Sequence, residues 1–110
     1  MKLKYSRLKK IIDNADKSDV RKAHVVAILV KNGQIFVEVN IKKSRFDNTS
    51  PFKWTHHAEW RVIKRAKEKA NNAELYVVRL MKKGGFGNAY PCKTCWKLIR
   101  VSKIKHVFHT

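Results

Sequence analysis

Leu3, Leu8, Ile11, Ile12 and Ala15 recur at helical spacing between Lys and Arg residues, which predicts an amphipathic helix over residues 3–15. After a polar stretch comes HVVAILV at 24–30, almost wholly apolar, as a strand buried on both faces should be. Asn32-Gly33 follows, the dipeptide best suited to a two-residue type I′ turn, and QIFVEVNI returns at 34–41. The two segments read as an antiparallel hairpin. Residues 42–56 (KKSRFDNTSPFKWTH) show little periodicity and read as a loop; at fifteen residues it has the length of a functional one.

Ala58, Val62, Ile63 and Ala66 then line one face of a helix over 57–70, whose other face is Arg and Lys. ELYVVRLM at 74–81 predicts a third strand, followed by the Gly-rich loop KKGGFGNAY. Pro91 suits a helix start, with Cys95, Trp96 and Ile99 on the apolar face, and IKHVFHT at 104–110 reads as a fourth strand. The order is α-β-β-α-β-α-β. Strands joined by helices call for parallel pairing, so the fold class is mixed α/β: a hairpin plus parallel strands, covered by helices. A chain of 110 residues fits one domain, 1–110.

Charge changes the picture more than size does. Lys and Arg number 26 against 8 Asp and Glu, a formal net charge of +18, spread from end to end. Such a surface attracts polyanions, and single-stranded nucleic acid is the expected partner. The rival explanation is composition drift, since 19 of the 26 are Lys. No apolar run approaches the roughly 18 residues of a membrane span, which argues against a membrane partner. MKLKYSRLKKIIDN lacks the apolar core of a signal peptide, so the expected location is intracellular.

The informative chemistry lies in His57-Ala58-Glu59 and Pro91-Cys92-Lys93-Thr94-Cys95, each placed where a loop runs into a helix. Cysteines at i and i+3 project from one helix face, so both sulfurs reach the same ion, and the helix N-terminus favours thiolate. His57 supplies a third ligand from the neighbouring helix. Three protein ligands leave a tetrahedral Zn2+ with one open position, the mark of a catalytic site, where water is acidified toward neutrality. Glu59 lies close to the metal without needing to bind it, and can take the proton of that water and hand it on to a substrate. A purely structural zinc site has no use for such an acid.

His-x-Glu followed by Pro-Cys-x-x-Cys resembles the cytidine and deoxycytidylate deaminase superfamily, which also holds tRNA adenosine deaminases and polynucleotide cytosine deaminases. The resemblance covers most of the chain, in family order. It implies a zinc-dependent hydrolase converting cytosine to uracil. It also implies that Asn40, at the end of the second strand, contacts substrate, and that the main-chain N–H of Ala58 faces the base carbonyl. Relatives usually add a fifth strand and further helices, so an open sheet edge is left here, and a homo-oligomer is a possible partner state.

Rival readings stand beside this one. Cys92 and Cys95 also suit a redox dithiol, which leaves the His-Ala-Glu triplet unexplained. With His106 and His109 they spell C-x2-C-x10-H-x2-H, close to a zinc finger, although IKHVFHT is β-rich and residues three apart on a strand face opposite ways. His56 reads as facing solvent or substrate, and Trp60 and Trp96 as packing between helix and sheet. The two long loops interleave aromatics with cations: Phe46, Phe52 and Trp54 among Lys42, Lys43, Arg45 and Lys53, then Phe86 and Tyr90 after Lys82 and Lys83. Proteins hold single strands in that way, by phosphate attraction and base stacking. Trp54 and Tyr90, adjoining the motifs, are expected to touch substrate. The expected substrate is thus cytosine in single-stranded DNA or RNA, with free cytidine, deoxycytidine or their monophosphates as the first alternative. A zinc-stabilised nucleic-acid-binding domain without activity is the second, and adenine is a further possible base.

Overall fold

The computed structural model describes residues 10–11, 24–42, 55–81 and 85–110. The strongest apolar run becomes β1 (His24–Lys31), an inner strand of the sheet. The type I′ turn forms as expected, with φ of 49° at Asn32 and 80° at Gly33, and returns the chain as β2 (Gln34–Val39). Its register pairs Lys31 with Gln34 and Val26 with Val39. From the predicted helix over 3–15, Lys10 and Ile11 fall among the described residues and both are helical.

The second strand stops at Val39, short of the predicted 41, and Asn40 is the reason. Its main-chain N–H donates to Val25 O (3.1 Å), while Val25 N–H donates to the Asn40 side-chain Oδ1 (3.0 Å). A regular ladder would use the main-chain oxygen there. With the amide in its place the chain can leave the sheet. It re-forms as β3 (Ile41–Lys42), paired antiparallel with β4 (Thr55–His56), so the predicted loop is closed at its base by a short ladder.

Helix α1 (Ala58–Ala66) buries Ala58, Glu59, Val62, Ile63 and Ala66. It does not run unbroken to 70: Lys67 takes φ 55°, and Lys67–Ala70 continue as a 3-10 turn that brings Ala70 into the core. Strand β5 (Glu74–Leu80) follows, then β6 (Phe86–Gly87), a short strand inside the predicted Gly-rich loop. Helix α2 (Lys93–Val101) starts two residues beyond Pro91, and β7 (His106–His109) is shorter than predicted at both ends.

The strands lie in the order β2-β1-β5-β6, with β7 also pairing β5. β2, β5 and β7 run the same way, as their helical connections require, but β1 separates β2 from β5. Only β5 and β7 are therefore parallel neighbours among the described strands. Alternation along β1 and β5 divides the core. Ala27, Leu29, Leu75 and Val77 pack under the helices, whereas Val26, Ile28, Tyr76 and Val78 fill the opposite face, where Ile11 joins them. Arg61 and Arg65 tie α1 to β2 through Glu38 (3.1 and 3.4 Å), and Arg61 also donates to Val39 O (2.6 Å). Among the described residues no helix is long and apolar enough to cross a membrane.

Candidate metal centre and substrate cavity

Both motif helices start on a metal-type side chain. His57 is the N-cap of α1 in an extended conformation, and its carbonyl accepts from Arg61 N–H (3.1 Å). Cys92 is the N-cap of α2, where its sulfur accepts from Cys95 N–H (3.5 Å) and its carbonyl from Trp96 N–H (2.9 Å). A sulfur in that position meets the positive end of the helix dipole. The two helices pack together, which brings their starts to one place.

His57 Nδ1 lies 3.6 Å from Cys92 Sγ and 3.5 Å from Cys95 Sγ, and all three donor atoms fall within 4.8 Å of one another. A tetrahedral zinc with Zn–S of about 2.3 Å and Zn–N of about 2.0 Å separates nitrogen from sulfur by roughly 3.6 Å. The donors are already at ligand spacing. Burial lowers the His57 pKa, which keeps the imidazole neutral and able to donate a lone pair. Burial pushes the Cys95 thiol far up, and the nearby charges of Glu59 and Cys92 push it further. A dication at the centre reverses that balance, because it attracts every group that otherwise repels its neighbours. Donor spacing and donor chemistry both fit Zn2+.

Glu59, in the first turn of α1, is 5% exposed and stands within hydrogen-bonding reach of Cys95. Desolvation raises its carboxyl above the ordinary range, against the lowering effect of a main-chain hydrogen bond and of Cys95. A carboxyl so placed can hold a proton through part of a reaction cycle.

His57, Ala58, Glu59 and Cys92 open on a cavity of about 290 Å³, with Val25, Asn40, Arg79, Asn88, Ala89 and Tyr90 completing its wall. The sheet forms its floor. Asn40 just past β2, Val25 on β1 and Arg79 on β5 stand side by side, since Val25 bonds to Asn40 on one side and pairs with Arg79 on the other. The structure thus brings Asn40, Ala58 and Tyr90 to the same cavity as the metal-type trio. Tyr90 is 62% exposed, edge-on to His109 and tilted against Trp96, at ring distances of 5.2 and 5.4 Å.

Other expectations fare differently. Trp54, Lys43, Arg45, Lys53, Lys82 and Lys83 lie outside the described residues, and Lys42 is placed only by its backbone, on β3. His56 does not face solvent: it is buried and stacked on Trp60 at 5.3 Å, because β4 turns it under α1. Trp96 packs against the helix-side core, as expected. The zinc-finger reading fails, since His106 and His109 are exposed on β7 while His57 alone among the described histidines joins the cysteines. Arg79 and Asn88 were not anticipated. For Arg79 a signal existed, a charge interrupting an apolar strand in phase with Leu75 and Val77; for Asn88 none did.

No curated protein sequence matches the chain. The family model of the cytidine and deoxycytidylate deaminase zinc-binding region matches residues 1–110, so hairpin, both motifs and all strands fall within it. The chain belongs to the cytidine and deoxycytidylate deaminase family, and is a zinc-dependent deaminase of the cytidine type.

Proposed function

We propose that the protein hydrolyses cytosine to uracil within single-stranded DNA or RNA. Water adds at C4, ammonia leaves, and the exocyclic amine is replaced by a carbonyl. His57, Cys92 and Cys95 would hold the zinc, which supplies a Lewis acid that brings water toward neutral pKa. Glu59 takes one proton of the water and delivers it to N3, then takes the second from the hydroxyl now on C4 and delivers it to the departing amine. Asn40 is fixed for substrate contact by the Val25 N–H on its Oδ1. Ala58 opens α1, so its main-chain N–H has no helical acceptor and can meet the base carbonyl.

The observation that favours a polynucleotide is a second hollow beside the first. It measures about 470 Å³, shares Tyr90 with the catalytic cavity, and is lined further by Pro91, Lys93, Trp96 and Arg100. Two aromatic rings and two cations in one hollow suit a base and phosphate next to the reacting nucleotide. The net charge of +18 supports the same partner. A second copy of the chain would find its place along the outer edge of β7, which pairs on one side with β5. Turnover decides the substrate: cytosine in a short oligonucleotide should be deaminated far faster than free deoxycytidylate at equal concentration. The reverse ranking would make this a nucleotide-salvage enzyme.

A further inference from the structure

Arg79 is a cation on a face where its strand otherwise buries carbon. Leu75 and Val77 turn toward the helices and Tyr76, Val78 and Leu80 away, so alternation sends Arg79 to the helix side. There it lines the catalytic cavity with His57, Ala58 and Glu59. Its Nε is buried without a hydrogen-bond partner, and no acidic side chain pairs with it among the described residues.

Its position is well built. Arg79 N–H donates to Thr110 Oγ1 (3.1 Å), and that hydroxyl donates onward to Gly87 O (2.7 Å), which clamps β5 to β6. Gly87 stands opposite Arg79 in the register, and a Cβ there would come within 3.3 Å of Arg79 Cδ and 2.5 Å of Met81 Sδ. The missing side chain leaves room for the arginine stem.

We infer that Arg79 holds the phosphate group attached to the reacting nucleotide. Cytosine and its sugar are neutral, so a bare nucleoside leaves this cation without a counter-charge, whereas phosphate matches the guanidinium fork with two charged hydrogen bonds. Spacing agrees. Asn40 and Arg79 stand two strands apart, about 10 Å, at opposite ends of the cavity floor with Val25 between them. A nucleotide lying across that floor reaches Asn40 with one end and Arg79 with the other. The inference rests on the deaminase reading and not on the choice of a polynucleotide: the phosphate is a monophosphate in a free nucleotide and a phosphodiester in a strand.

The test compares wild type and Arg79→Ala, each first checked for zinc content. Substrates are deoxycytidine, deoxycytidylate and a short oligonucleotide with one cytosine. That oligonucleotide is also made with uncharged methylphosphonate linkages on both sides of the cytosine. KM for the phosphate-bearing substrates should rise about ten- to a hundredfold in Arg79→Ala, the scale of a lost charged hydrogen bond, with a much smaller change on deoxycytidine. Arg79→Lys should recover part of the loss. Neutral linkages should cost the wild type, and cost Arg79→Ala far less, because both changes remove one contact. Equal losses on every substrate, or neutral linkages that cost both proteins alike, overturn the assignment. Should the wild type prefer deoxycytidylate while the Arg79 pattern holds, the polynucleotide reading falls and Arg79 keeps its role.

Discussion

Val26, Ile28, Tyr76 and Val78 bury one face of the sheet, while the neighbouring residues on the same strands, Ala27, Leu29, Leu75 and Val77, bury the other. The two faces differ in side-chain size. Six alanines line the helix-covered side (27, 58, 66, 70, 73 and 89), and none lies in the opposite cluster. Small residues let helices approach the sheet closely, so the starts of α1 and α2 meet over the row Asn40, Val25 and Arg79. Among the described residues, buried Asn40 and Glu59 lie there, while His56 is buried apart, against Trp60. One face is therefore built for packing and the other for packing along most of its length and chemistry at one end.

Breaking the chemistry at its root should have the largest effect. Cys92→Ser, or treatment with a chelator, should lower zinc from about one per chain to near zero and abolish turnover, with a fall in melting temperature because metal binding favours the folded state. Metal analysis and a thermal melt check it; zinc retained by Cys92→Ser would remove that ligand from the site.

Glu59→Ala separates chemistry from packing at a single residue. It should lose about 10²–10⁴-fold or more in turnover, the range for a general acid–base group, while keeping its zinc. Steady-state kinetics beside metal analysis reads both, and a variant with most of the wild-type rate would end the proposed role.

The complementary cut is Ile28→Ala, fully buried on the opposite face. It should destabilise by about 2–5 kcal/mol, the usual range for such a truncation, and leave kcat per folded molecule nearly as it was. Urea denaturation gives the first number, and activity well below the transition gives the second. A collapse of kcat in fully folded Ile28→Ala would mean that the two faces are not independent.

The smallest expected effect concerns the surface. Affinity for single strands should fall with salt, by about 0.7 in the slope of log K against log salt for each phosphate neutralised. Reversing Lys42, Lys43, Lys82 and Lys83 to Glu should flatten that slope. Binding titrations over a salt series measure it, and an unchanged slope would move the contacts elsewhere, with Lys93 and Arg100 the nearest candidates.

What the sequence determined by itself was whatever depends on near neighbours. The Asn32-Gly33 turn, the apolar run of β1, the amphipathic faces of α1 and α2, and two motifs at helix starts all follow from local periodicity and backbone preference. Family membership was legible for the same reason, since the motifs are short and carry their own chemistry. Tertiary structure decided the rest. β1 lies between β2 and β5 because strand order depends on contacts far apart in the chain, to which local pattern is blind. His56 is buried because a two-residue ladder across the loop turns it under Trp60, and no periodicity announces so short a strand. Arg79 faces the cavity because of its phase along β5, but that phase becomes a site only once the helices are known to cover that side and the metal-type residues to lie at that end. Side-chain type is written in the chain; which side chains share a cavity is set by the register between strands.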